Sequence, residues 1–211
     1  MDLSDEALIE SFRKTKDPIH FKSLVRRYQN RIYSAAYRIL GSMEEAEEVV
    51  QETYIKVHQN LNRFRRQASF SAWIFRIANN VCLDCLRAKQ RRRGFQLLSF
   101  DPQSAPESED YAEGPSPVVS QVADGGPGPE QGFDLTEESQ VIQASLRALP
   151  DYQRAVLVLH DIEGFSYQEI AEMVGTSVGT VRSRLHYGRL KLRELLEPYY
   201  SSSSSTSPSP R

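Results

Sequence analysis

Cysteine is nearly absent from this chain, with two among 211 residues. A disulfide-built scaffold is therefore excluded. Cys82 and Cys85 stand in VCLDCLR, and a CxxC spacing also suits a redox pair or half of a zinc site. Here the pair falls inside a helical pattern with no second pair, and His20, His58, His160 and His186 are scattered. The two thiols are read as helix-packing groups, and no metal or cofactor is expected. No apolar run approaches the roughly 20 residues that would span a bilayer. The start, MDLSDEALIESF, lacks the basic and apolar regions of a signal peptide, so a cytoplasmic protein without direct membrane insertion is expected. A Walker-type glycine loop, an HExxH and a paired metal-ligand motif are all missing, so no enzyme is expected. The acid-rich run from Glu44 to Glu52 fits helix capping and a polar face.

Basic residues are missing from one long stretch. Residues 94–140 carry ten acids and no Lys or Arg. Residues 1–93 carry 18 basic and 11 acidic residues, and residues 141–211 carry eight and seven. The formal charge of −2 therefore hides a basic block, an acidic connector and a near-neutral end with a locally basic helix. That asymmetry points to a nucleic-acid binder with an anionic segment of its own.

Hydrophobic periodicity predicts an all-α protein. A short helix runs from Leu3 to Lys14. Asp17-Pro18 opens a longer one that ends at Gly41-Ser42. Ser42 caps a third helix, whose Glu44, Glu45, Glu47 and Glu48 suit the positive end of the helix dipole. That helix reaches about Leu61, and a loop from Asn62 to Ser69 precedes a fourth helix from about Phe70 to Arg93. Residues 94–137 are rich in Pro, Gly, Ser and acids and read as a flexible linker. Helices resume over Gln140 to Leu149 and Asp151 to Glu163, within a second unit spanning 138–200. The tail, residues 201–211, is low-complexity and read as disordered.

In the second unit, SYQEIAEMVGTSVGTVRSRLHYGRLKLR splits into two helical patterns around Gly-Thr-Ser. Gly175 suits the left-handed end of the first, and Ser177 suits the cap of the second. Two helices joined in this way form a helix-turn-helix. Thr180, Arg182, Ser183, Arg184 and His186 then lie near the exposed face of the second helix, suited to phosphates and base edges. Arg182, Arg184, Arg189, Lys191 and Arg193 follow one another with no acid before Glu194.

A second constellation lies in the first unit. Arg63, Phe64, Arg65, Arg66 and Phe70 occupy the loop region, and Ser71, Trp73, Phe75, Arg76, Asn79 and Asn80 follow. Single strands are bound by a cationic track with flat side chains for stacking, and asparagine amides read base edges. Any one of these aromatics taken singly is read as a core residue, whereas the loop and helix as a whole are read as a nucleic-acid contact.

Four strings occur in order: EEAEEVVQETYIKVHQNLNRFR, ASFSAWIFRIANN, LPDYQRAVLVLHDIEGFSYQEIA and GTVRSRL. Together they resemble bacterial sigma factors of the extracytoplasmic-function group over residues 5–93 and 138–197. The resemblance implies a region 2-like bundle and a region 4-like helix-turn-helix domain. The first would bind core RNA polymerase and the −10 element, the second the −35 element. Glu48, Gln51, Glu52, Tyr54, Ile55 and Lys56 would dock on the polymerase clamp helices. Phe64 to Ser71, with Asn79 and Asn80, would capture flipped bases of the non-template strand. Arg182, Ser183, Arg184 and His186 would face the −35 duplex, and the segment before them would meet the polymerase flap. The linker would thread the RNA channel. An anti-sigma factor, membrane-bound in many relatives, would be a further partner.

The sequence departs from the family where GTVRSRL continues as His186-Tyr187-Gly188-Arg189, in place of a basic residue followed by Arg-Ala-Arg. Two rival readings are an ordinary dimeric helix-turn-helix regulator and a sigma-like adaptor that binds no promoter. The first needs a dimer seam or a sensor domain, and the linker region supplies neither.

Overall fold

Local capping chemistry cuts the chain into helices. The computed structural model describes residues 3–65, 68–94 and 136–203. Most of the expected linker and tail, and Arg66 of the loop, lie outside the described residues. Ser4 caps α1 (Asp5–Thr15) through Ala7 N–H. Asp17 caps α2 (Pro18–Leu40), with Pro18 placed where its missing N–H has no cost. Gly41 ends α2 at φ 77°, a conformation that favours glycine. Ser42 caps α3 (Met43–Asn60). A 3-10 turn, Leu61–Arg63, follows, and Ser69 Oγ accepts from Ala72 N–H at the start of α4 (Phe70–Gly94). These four helices form the first unit, cored by Tyr33, Phe70, Phe75, Leu24 and Ile32.

The second unit comprises α5 (Glu137–Arg147), α6 (Asp151–Leu157), α7 (Tyr167–Val174) and α8 (Val178–Ser203). Between α6 and α7 the chain runs through a π-helical turn, Val158–Ile162, within the stretch the sequence pattern gave as one continuous helix. Arg154 ties the unit together from inside. Its buried guanidinium donates to the carbonyls of Leu146, Arg147 and Leu149 and pairs with Asp151 at 2.6 Å. It thus satisfies carbonyls at the end of α5 that the helix itself leaves open. α8 is longer than the periodic pattern indicated, continuing through Pro198 to Ser203.

Gly188 lies where α8 crosses α6. A Cβ there would meet Gln153 Cβ and Leu157 Cδ1 at 3.6 Å, an ordinary van der Waals distance. Gly188→Ala is therefore expected to stabilise the fold by about 0.5–1 kcal/mol through helix propensity. Thermal unfolding reads this directly. A lower midpoint would mean that the α6–α8 spacing depends on the missing Cβ.

The two units also pack on each other, which no local sequence pattern signals. Phe75 of α4 meets Phe165 at a ring distance of 5.1 Å. Arg31 of α2 pairs with Glu163 at 3.0 Å, and Glu163 has a side chain only 6% exposed. Gln143 donates to the carbonyls of Tyr37 and Arg38, and Arg147 to that of Gly41, at the carboxyl end of α2. Gln90 donates to Asp151 at 2.8 Å. Leu159, on the π-helical turn, borders a small cavity with Ile32, Ile39, Phe75, Asn79 and Cys82. Both thiols are free; Cys82 is buried, which pushes its pKa well up, and Cys85 is half-buried.

Candidate nucleic-acid interface

The loop before α4 is built around an aromatic cluster. Phe64 packs against Phe70 at 5.6 Å and Trp73 at 5.1 Å, and Phe70 against Tyr28 at 5.5 Å. Phe64 and Phe70 are 6% and 1% exposed, so their rings are core rather than stacking platforms. Trp73 is half-buried and keeps part of its surface outside. Ser71 is half-buried, and the nearby Tyr28 hydroxyl donates to the Asp5 carboxylate. Arg63 and Arg65 are exposed in the loop.

On α4, Trp73, Arg76 and Asn80 follow at helical spacing and share one face. Arg76 and Asn80 are exposed. Their neighbour Asn79 is not. It is 2% exposed at the boundary with the second unit, and neither its amide nitrogen nor its amide oxygen has a hydrogen-bond partner. The two asparagines that the sequence offers together therefore part company: one faces solvent and one is covered.

On α3, Glu48, Gln51 and Glu52 are exposed, and Ile55 is half-buried. Their i, i+3, i+4, i+7 spacing forms one outward stripe. Lys56 pairs with Glu52 at 3.4 Å. Tyr54 turns inward, where its hydroxyl donates to Val25 O at 3.1 Å and burial pushes its pKa well up.

The helix-turn-helix is held by its own caps. Ser166 and Glu169 form a reciprocal capping box on α7. Gly175 turns the chain at φ 65°. Ser177 Oγ then accepts from Thr180 N–H at 3.1 Å and lies 2.9 Å from the Thr180 hydroxyl. Val181 and Leu185 are buried, which leaves Arg182, Ser183 and His186 outward on α8. Ser183 donates to Gly179 O at 3.1 Å.

Two other cations are differently placed. Arg184 is half-buried with its guanidinium over the Tyr152 ring at 4.9 Å, and burial lowers its pKa. Arg189 is exposed but held by Asp161 through two hydrogen bonds, which raise its pKa. Tyr152 and Asp161 were absent from the sequence-based candidates. Each lies about 30 residues from its partner, beyond any local spacing rule. Among the described residues there is no cluster of metal-ligating side chains and no helix long and apolar enough to cross a membrane.

The arrangement therefore pairs a face of exposed Arg76 and Asn80 beside half-buried Trp73 with a separate outward helix, α8. Sigma-70 region 2 matches residues 24–92, and Sigma-70 region 4 matches residues 139–192. The chain is 34% identical over 183 residues to the ECF RNA polymerase sigma factor SigW of Bacillus subtilis, covering 87% of this chain and 92% of that protein. The chain belongs to the ECF RNA polymerase sigma factors. It is also 38% identical over 178 residues to the ECF RNA polymerase sigma factor SigE of Mycolicibacterium smegmatis, covering 84% of this chain and 62% of that protein. Two solved structures share its fold. One is the sigma factor RpoE in complex with the anti-sigma factor NepR from Bartonella quintana, with 24% identity, TM-score 0.60, and coverage of 84% of this chain and 96% of that one. The other is CnrH in complex with the cytosolic domain of CnrY, with 24% identity, TM-score 0.62, and coverage of 92% and 97%.

As a sigma factor, the protein binds RNA polymerase and directs promoter-specific initiation of transcription. The first helical unit carries the region 2 match and the second carries the region 4 match. α1 precedes the region 2 match, which begins at Leu24.

Proposed function

We propose that this sigma factor divides promoter recognition between the two outward surfaces. Region 2 takes the −10 element as a single strand, using Arg63, Arg65, Trp73, Arg76 and Asn80. Arg63 and Arg65 attract phosphates, Trp73 offers a partly exposed ring, and the Asn80 amide reads a base edge. Region 4 reads the −35 duplex through Arg182, Ser183 and His186. Ser177 caps the helix that carries them by accepting from Thr180 N–H, and Arg184 and Arg189 brace it against Tyr152 and Asp161. The α3 stripe of Glu48, Gln51, Glu52 and Ile55 docks on core polymerase, with Tyr54 and Lys56 fixing that helix. The protein acts in the cytoplasm and adds no bond-making chemistry of its own. An anti-sigma factor is its regulatory partner, a reading supported by the fold it shares with two sigma factors solved in such complexes.

The observation that carries this reading is the helical spacing that puts half-buried Trp73 and exposed Arg76 and Asn80 on one face of the helix that follows the arginine loop, in a chain whose separate recognition helix turns Arg182 outward. The test is promoter use by holoenzyme. Arg182→Ala is expected to cost about 1–3 kcal/mol at its base step, or roughly five- to a hundredfold in promoter affinity. The loss should vanish on templates that lack the −35 element. An equal loss on both templates would remove Arg182 from −35 reading.

A further inference from the structure

The base-capture loop is held from outside the matched region. Arg13 lies on α1, which precedes the Sigma-70 region 2 match at residues 24–92. Its guanidinium donates to Leu61 O through Nε at 3.2 Å and Nη2 at 2.6 Å. The same Nη2 donates to Phe64 O at 2.5 Å. Leu61 O also accepts from Phe64 N–H at 3.3 Å, closing the 3-10 turn at the end of α3. Arg13 therefore bridges the two carbonyls at which the chain leaves α3 and enters the capture loop. Lys16 adds a bond to Asn62 Oδ1 at 3.2 Å. Leu8, Ile9 and Phe12 bury the inner face of α1, so the bridge stands on a packed helix.

The guanidinium is poorly set for a phosphate. Two backbone carbonyls take three of its five N–H donors, and the groove between α1 and the loop, which includes Phe64, Arg65 and Lys14, is also lined by the carboxylates Glu6 and Glu10. What it holds is the backbone on either side of Arg63 and directly before Arg65. Phe64, whose carbonyl it grips, packs on Trp73. A shift of that carbonyl would move the loop arginines and the Trp73 face together.

We propose that Arg13 is a positioning residue, fixing the capture loop so that region 2 discriminates among bases at the −10 element. The inference rests on the assignment of that loop and α4 to −10 capture. Lysine keeps the charge but lacks the planar fork that joins two carbonyls. Arg13→Lys is therefore expected to behave like Arg13→Ala, whereas a phosphate contact would be largely preserved by lysine.

The experiment uses holoenzyme assembled on core polymerase. Its probes are single-stranded non-template oligonucleotides spanning the −10 element of a promoter found by run-off transcription, with each base changed in turn. For both variants we expect the preferred strand to bind about tenfold more weakly, and the preference over substituted strands to fall to within about twofold. Affinity for core should stay unchanged. Wild-type discrimination in Arg13→Lys, or a uniform loss on every strand, would overturn the proposal. Asn80→Ala is run beside them. If it impairs strand binding while Arg13→Lys does not, the positioning role fails alone. If neither has an effect, the −10 assignment fails.

Discussion

Asn80→Ala is expected to slow open-complex formation by roughly five- to a hundredfold, corresponding to the about 1–3 kcal/mol that a well-recognised base contributes. Melting requires bases to leave the stack at a cost of a few kcal/mol, offset only if a site receives them. Asn80 is the exposed amide of the Asn79-Asn80 pair and shares its helix face with Arg76 and Trp73. Duplex binding through region 4 should survive the substitution. Permanganate reactivity of promoter thymines, measured beside competitor-resistant duplex binding, separates the two steps. Unchanged melting would contradict base capture by this face.

Arg31→Glu is expected to separate region 2 from region 4 in the free protein. Elements at −10 and −35 lie roughly 25 base pairs apart, about 85 Å of B-form duplex. Yet α4 of region 2 packs directly against region 4, and Asn79 is covered there. Reading both elements of one promoter therefore requires the packed arrangement to open. Arg31 pairs with Glu163 across the boundary and also lies over the Phe75 ring at 5.1 Å. A glutamate at position 31 would set two carboxylates against each other. For a partly buried pair the expected penalty is about 1–3 kcal/mol, roughly five- to a hundredfold in the ratio of separated to packed forms. Scattering or inter-domain energy transfer would report the expansion, and Arg31→Glu combined with Glu163→Arg should restore packing. No expansion in the single variant would mean that the apolar contacts hold the units without this pair.

The same boundary carries a pH dependence. Burial raises the Glu163 pKa, and the attraction of Arg31 only partly opposes it. The packed form thus holds the Glu163 proton more tightly than a separated form with an ordinary carboxylate. Packing gains as pH falls through the interval between the ordinary and raised values, and loses as pH rises through it. Glu163→Gln should flatten that dependence.

Much of the recognition apparatus was legible in the sequence because its determinants are local. The Ser166–Glu169 capping box, Gly175 and the Ser177 cap all act within four residues, and α7 begins and ends where they place it. The ends of α2 followed from Asp17-Pro18 and Gly41 for the same reason. The side-chain assignments were harder, because exposure depends on distant packing. Asn79 and Asn80 are about 100° apart around a helix, and Asn79 is covered where the fold brings Ile32, Ala35, Ala36 and Ile39 of α2 and Leu159 beside it. Phe64 resembled a stacking ring but closes a core with Phe70 and Trp73. Arg189 resembled a free cation until the fold brought Asp161 to it. The π-helical turn at Val158–Ile162 has no hydrophobic period of its own and was merged with α6. Gly188, part of the departure from the family pattern, lies where α8 crosses α6.

The central claim is tested most directly by run-off transcription on genomic fragments with purified core RNA polymerase, with and without this chain. Discrete start sites that depend on the chain, preceded by shared −10 and −35 sequences, are the predicted result. Binding to core without any chain-dependent transcript would contradict it.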